Sequence, residues 1–90
     1  MKIAQQLVAL GSAADAMEQA EARAIGADQR WDLEMTKWTF DDNSVLAIRA
    51  GDMLAIDADD AASIRAYGEW IGDDADEQAE VERLLEALES

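Results

Sequence analysis

The chain has 90 residues, with 21 Asp and Glu against 7 Lys and Arg, a formal net charge of −14. It contains no His, Cys or Pro, which excludes disulfides, Cys-ligated zinc, imidazole acid–base catalysis and a Ser-His-Asp triad. No apolar run reaches the roughly 18 residues that a membrane-spanning helix requires. The sequence therefore predicts one cytoplasmic domain over residues 1–90.

The acidic residues are concentrated in the second half of the chain. Residues 41–90 hold fifteen acidic and three basic side chains, a net charge of −12, whereas residues 1–40 hold six and four, a net charge of −2. Such a surface cannot bind nucleic acid or an anionic membrane directly. It is consistent with solubility in an acid-rich proteome, or with binding to a basic protein.

The first half of the chain predicts one long helix and a short sheet. Apolar residues at steps of three and four predict a helix over residues 3–25, with Gly11 weakening its middle and Gly26 ending it. Residues 27–35 are expected to be a connector with some extended structure. Three runs with strand character follow at residues 36–40, 45–48 and 53–56, separated by short turns.

The last third of the chain predicts two helices. Asp57 is expected to cap a helix that Gly72 ends, and Asp74 to cap a final helix with Glu77 at its third position. The buried face of that final helix is expected to consist of Val81, Leu84, Leu85 and Leu88. The predicted fold class is α+β, a three-stranded antiparallel sheet with helices packed on one face, in the order α-β-β-β-α-α.

The polar residues do not match a catalytic or metal-binding pattern. The segment Asp57–Ala62 departs from the calcium-binding EF-hand loop, because its fifth and sixth positions are Ala and the twelfth is Gly68. Neither Ser44 nor Ser63 follows an Asp at a helix start, as the serine of an acyl carrier protein does. Paired carboxylates without a nucleophile or a glycine-rich phosphate loop indicate a protein that is not an enzyme and uses no cofactor or metal.

Acidic residues recur at helical spacing near the end of the chain. They form two sets, Asp73, Asp76, Glu77 and Glu80, then Glu82, Glu86 and Glu89. One helical turn separates neighbours by roughly 5–6 Å, which is comparable to the phosphate spacing along one DNA strand. A row of this kind can take the place of a phosphate backbone opposite Lys and Arg side chains.

Several segments carry a resemblance to a known family. The most specific are Phe40–Leu46 and Asp57–Ala61. The others are Ile3–Gln6, Asp28–Gln29 with Trp31–Asp32, Thr36–Lys37, Ser63–Ile64 and Glu82–Glu86. On these residues the chain resembles the small, acidic phage anti-CRISPR family that inhibits type I-F CRISPR surveillance complexes by mimicking DNA.

The resemblance implies an antiparallel sheet with helices and a binding partner. That partner is a Cascade complex of type I-F, with type I-C left open. The inhibitor would enter the lysine-rich duplex-DNA cleft between the large subunit and the adjacent crRNA-backbone subunit. Glu82 and Glu86 match the family motif, Glu34 and Glu80 follow, and the remaining acids match in acidic character only. The implied partner-binding residues are Glu34, Asp73, Asp74, Asp76, Glu77, Glu80, Glu82 and Glu86.

Two other functions fit the same composition. An acidic immunity protein or antitoxin would neutralise a different basic protein, such as a nuclease, through the same electrostatics. A small-molecule or metal carrier would use the carboxylates as ligands. We expect the protein to be a monomer, because a highly charged surface resists self-association.

Overall fold

The computed structural model describes all 90 residues and places two helices before and two helices after a sheet. The helices are α1 (Ile3–Val8), α2 (Ala13–Arg23), α3 (Ala61–Ile71) and α4 (Ala75–Glu89). The strands are β1 (Gly26–Arg30), β2 (Met35–Thr39), β3 (Ser44–Arg49) and β4 (Asp52–Asp57). A short 3₁₀ helix, Trp31–Leu33, joins β1 to β2. The α+β class is confirmed, but the order is α-α-β-β-β-β-α-α.

The four strands form an antiparallel sheet in the order β1-β2-β3-β4. Strands β2, β3 and β4 confirm the three predicted runs to within one residue at each end. In the centre of the sheet Trp38 pairs with Leu46, which in turn pairs with Ala55. The prediction of three strands is wrong, because β1 pairs with β2 from Gly26↔Thr39 to Arg30↔Met35 and adds a fourth.

Strand β1 gives little sequence signal because it lies at the edge of the sheet. Its residues Gly26–Arg30 are exposed or half-buried, so the alternation of apolar and polar residues that marks a half-buried strand is missing. Pairing with β2 determines its conformation. Gly26 therefore begins a strand, and the prediction that it ends a helix is wrong.

The single helix predicted for residues 3–25 is two helices. Gly11 has φ +76°, a left-handed conformation that glycine adopts without steric cost and that ends the helical path after α1. Ser12 then starts α2, since its hydroxyl accepts a hydrogen bond from the Asp15 backbone N–H at 3.3 Å. Gly11 does not merely weaken one helix but separates two.

Helices cover both faces of the sheet, so the prediction of helices on one face is wrong. The first core cluster, between α1, α2 and one face, consists of Ala4, Leu7, Ala16, Ala20, Trp38, Phe40, Leu46 and Ile48. The second, between α3, α4 and the other face, consists of Met35, Ala47, Ile56, Ile64, Tyr67, Ile71 and Val81. Successive residues of a strand point to opposite faces, and β3 is apolar on both for this reason.

The two C-terminal helices largely follow their predicted limits. The N-cap of α3 is Asp60 rather than Asp57, and its side chain accepts from the Ala62 backbone N–H. Gly72 follows α3 with φ +78° and Asp74 caps α4 through the Glu77 backbone N–H. On α4, Val81 is buried, and Leu84 and Leu85 are half-buried. Leu88 is 38% exposed, so its predicted burial is wrong. None of the helices combines the length and apolar character needed to cross a bilayer.

Candidate protein-interaction surface

Arg30, at the end of β1, joins three acidic residues. Its guanidinium donates to both carboxylate oxygens of Asp74, at 3.1 Å each, and to both oxygens of Asp32, at 3.0 and 3.2 Å. A further hydrogen bond of 2.7 Å reaches Oε2 of Glu77. Paired bonds of this kind between guanidinium and carboxylate fix orientation as well as distance. Arg30 therefore fastens the 3₁₀ helix to the N-terminus of α4.

Glu77 lies in the interior, where its side chain accepts three hydrogen bonds. The residue is 4% exposed. Its Oε1 accepts from Lys37 Nζ at 2.6 Å and from the Tyr67 hydroxyl at 2.5 Å, while Oε2 accepts from Arg30. A buried carboxylate is tolerated when cations and donors surround it in this way. Among the predicted partner contacts, Glu77 is thus the one that the fold encloses.

The charge states in this buried cluster follow from its hydrogen bonds. Burial disfavours a charge on Glu77, but the bonds from Lys37, Tyr67 and Arg30 outweigh burial and lower the pKa of Glu77. Hydrogen bonds from Arg30 and then from the Glu77 backbone lower the pKa of Asp74. Burial and the adjacent Glu77 raise the pKa of Tyr67. At neutral pH both carboxylates are therefore ionised, and Tyr67 is a neutral donor.

The Asp-rich segment after β4 also serves the fold. Lys2 Nζ donates to Asp57 Oδ1 at 2.7 Å and to Asp59 Oδ2 at 2.5 Å, and these bonds raise the pKa of Lys2. Asp60 caps α3. No group of three or more His, Cys, Asp or Glu side chains is arranged to hold a metal ion.

The acidic residues of α4 from Glu80 onward lie on two edges of its solvent-facing side. Glu82 and Glu86 are exposed, and neither carboxylate is among the ion pairs of the molecule. At about 100° per residue they share one edge of the exposed face with Glu89. Glu80 lies on the opposite edge and is half-buried, where it forms an ion pair with Arg83. The carboxylates of Glu82 and Glu86 are therefore free to meet a partner.

The remaining predicted contacts lie near the N-terminus of α4 and on the 3₁₀ helix. Asp73 and Asp76 are exposed, and Asp76 Oδ2 lies 3.9 Å from Arg30 Nη2. Asp74 is half-buried against Arg30. Glu34 is exposed directly after the 3₁₀ helix, with φ +54°. Arg30 thus brings Asp73, Asp74 and Asp76 to the same end of the molecule as the 3₁₀ helix, about two helical turns from Glu82.

The comparison with known proteins decides the family. Residues 2–90 match the model of the family described as Anti-CRISPR protein AcrF2. The chain belongs to this anti-CRISPR family. A similar protein, Anti-CRISPR protein 30 of Pseudomonas phage D3112, is 54% identical over 77 residues, which cover 82% of this chain and 86% of the phage protein. The family resemblance seen in the sequence is confirmed, and the family is one of inhibitors of CRISPR-Cas machinery.

Sequence reasoning missed the two cations that organise the surface of this anti-CRISPR protein. Arg30 and Lys37 come from β1 and β2, whereas the carboxylates of Asp74 and Glu77 that they bind come from the N-cap and first turn of α4. The sequence places Lys37 on the opposite side of β2 from the apolar Trp38. Helices cover both faces of this strand. A charged residue at a covered position requires a partner of opposite charge.

Proposed function

We propose that this anti-CRISPR protein is a DNA mimic that blocks target binding by a type I Cascade complex in the host cytoplasm. It acts as a monomer. Its site is the basic duplex-DNA cleft between the large subunit and the adjacent backbone subunit, in the type I-F complex first and the type I-C complex as the alternative. The observation that carries the proposal is the pair of free carboxylates, Glu82 and Glu86, on the exposed side of α4.

The distribution of the cations supports this proposal. Lys2, Arg30 and Lys37 are bonded to carboxylates within the fold, and Arg83 pairs with Glu80. These four of the seven cations are therefore paired with carboxylates other than Glu82 and Glu86. A basic cleft shaped for phosphates would meet a surface on which acidic side chains far outnumber basic ones, and such complementarity favours fast and specific association.

The predicted contacts divide by their surroundings in the fold. We assign direct contacts to the exposed or half-buried acids that retain a free oxygen, namely Glu34, Asp73, Asp76, Glu80, Glu82 and Glu86. Asp74 and Glu77 are assigned a supporting role, because their oxygens already bind Arg30, Lys37 and the N-terminus of α4. In this arrangement the buried cluster fixes the position of the exposed acids.

The test is a competition experiment with a purified type I-F complex. The complex is incubated with this protein and then given labelled target duplex. We expect loss of DNA binding, and we expect that loss to be relieved when DNA is added first. Undiminished DNA binding on both type I-F and type I-C complexes would contradict the proposal.

A charge-reversal pair tests the assigned face. The double variant E82K/E86K is compared with E18K/E21K, which makes the same change in net charge at exposed acids of α2, across the sheet from α4. Like charges brought together in an interface cost several kcal/mol, so E82K/E86K is expected to lose inhibition, whereas E18K/E21K retains it. Equal loss of inhibition in the two double variants would contradict the assigned face, because it would show that inhibition depends on net charge alone. Binding of the wild type should also weaken as salt rises.

A further inference from the structure

The single exposed aromatic side chain directly follows Arg30, the residue that binds the acidic N-terminus of α4. Trp31 is 81% exposed, whereas Trp38, Phe40 and Tyr67 are at most 3% exposed. The remaining aromatic, Trp70, is half-buried and its Nε1 donates to Asp52 at 2.9 Å. An indole this exposed adds nothing to the core, although a single exposed apolar residue is by itself ordinary. The case for a function at Trp31 depends on how it is held and on what surrounds it.

Trp31 is held in place by its neighbours in the chain. It begins the 3₁₀ helix, and its carbonyl accepts from the Glu34 backbone N–H at 3.2 Å. Arg30, directly before it, binds Asp32 on one side and Asp74 on the other. The Glu34 carbonyl in turn accepts from the Ala50 backbone N–H at 3.3 Å, which joins this segment to the turn before β4. These bonds fix the backbone at Trp31, and an aromatic side chain with two χ angles loses little conformational entropy on binding.

Trp31 lines a surface cavity of about 250 Å³. Glu34 lines the same cavity, together with Gln29 and Thr36. Arg30 also lines it, but its guanidinium is bonded to Asp32, Asp74 and Glu77, so the surroundings remain net negative. An aromatic wall and a carboxylate around one cavity form a site that suits a cationic side chain, because the ring face attracts a cation and the carboxylate binds it.

We infer that the Trp31 cavity receives one Lys or Arg side chain of the protein partner, with the cation stacked on the indole and bound by Glu34. This inference rests on the proposed function, since it deepens the account of the same interface. Interfaces concentrate their binding energy in a few residues, of which Trp is among the most common. Trp31 is accordingly an anchor of the interface, and the surrounding carboxylates guide the partner toward it.

The test uses three substitutions at Trp31 and measures the dissociation constant for the purified type I-F complex. Trp31→Ala removes the ring and is expected to weaken binding about tenfold. Trp31→Tyr retains an aromatic face and is expected to stay within about threefold of the wild type. Trp31→Leu retains apolar area without the ring, and it is expected to bind nearly as weakly as Trp31→Ala. All three should melt like the wild type, because the indole is exposed.

The possible outcomes separate this inference from the proposed function. If the wild type binds neither the type I-F nor the type I-C complex, the proposed function fails and the inference fails with it. If the wild type binds and Trp31→Ala binds equally well, the inference alone is overturned. If Trp31→Leu binds as well as Trp31→Tyr, the indole contributes apolar burial only, and a cation-binding cavity is overturned.

Discussion

Lys37 on β2 and Glu77 on α4 are 40 residues apart in the sequence, and Nζ of the first lies 2.6 Å from Oε1 of the second. This ion pair lies between the sheet and α4, where Glu77 also accepts from Tyr67 and Arg30. One buried carboxylate therefore fixes the first turn of the helix whose outer side carries Glu82 and Glu86. The inner side of α4 binds the cations of the sheet through Glu77, and its outer side carries the exposed carboxylates.

Removing Glu77 should strongly destabilise the domain. Glu77→Ala leaves Lys37 and Arg30 short of a buried partner, and breaking a buried ion pair in this way costs about 3–5 kcal/mol. The free energy of unfolding of a whole domain is only about 5–15 kcal/mol, so this loss is a large fraction of it. Urea denaturation followed by circular dichroism measures the effect. The matched control is Glu86→Ala on the exposed side of the same helix, where we expect a change within about 0.5 kcal/mol. Similar midpoints for the two variants would contradict this role of Glu77.

Tyr67 should resist ionisation as long as the protein stays folded. It is the only tyrosine, so tyrosinate absorbance reports on this residue alone. Burial and the adjacent Glu77 raise its pKa above the ordinary value of 10.0, and we expect no tyrosinate near pH 10 until unfolding exposes the ring. The same titration in denaturant should show a midpoint near 10. Reversible ionisation near pH 10 with the circular dichroism spectrum unchanged would show that the Tyr67–Glu77 bond does not form.

The stability of the fold should fall in acid. Burial disfavours a charge on Asp42, but bonds from Ser44 and the Ile3 backbone N–H outweigh burial, so its pKa is lowered from the ordinary 3.8. The pKa values of Asp74 and Glu77 are lowered as well. A carboxylate whose pKa is lower in the folded than in the unfolded state stabilises the fold at pH values above its unfolded-state pKa. This stabilisation is lost as the pH falls through its folded-state pKa.

The melting temperature measured across pH reports this linkage. At high ionic strength, which screens the repulsion between surface carboxylates, we expect a constant value from pH 7 to about 5 and a decline below about 4.5. Asp42→Asn should melt lower at pH 7 and decline less steeply in acid, since one of the responsible carboxylates is gone. A decline that begins near pH 6 would contradict the assignment, because the groups with lowered pKa values remain ionised there.

The central strands and the cap of α4 carry local signals, and this explains what the sequence could predict. Strands β2, β3 and β4 have apolar runs bounded by turn residues, and Asp74 with Glu77 forms a recognisable helix start. Edge strand β1 was missed because its pairing with β2, and not its composition, defines it. Helical spacing alone also could not distinguish Glu77 from Glu82. The first is buried and the second is exposed, and the difference depends on Lys37 and Arg30, which come from distant parts of the chain.

Gly11 should be the glycine whose replacement is most costly in the N-terminal half. Gly11→Ala forces an alanine into φ +76°, which costs roughly 1–2 kcal/mol for a residue with a Cβ. Gly26 is the control, because it has no positive φ and open space around it, so Gly26→Ala should change the free energy of unfolding far less. Urea denaturation measures both.

The alternative outcome for Gly11→Ala is one continuous helix over α1 and α2. The structure opposes this, because α1 is fixed at its first turn. The Ile3 backbone N–H donates to Asp42 Oδ2 at 2.6 Å and the Ala4 backbone N–H to the buried Ser44 hydroxyl at 3.2 Å. Straightening the chain at Gly11 would break either these bonds or the packing of α2 on the sheet. We therefore expect lower stability without a gain in helical circular dichroism, and a gain in helicity at unchanged stability would show that the turn at Gly11 is dispensable.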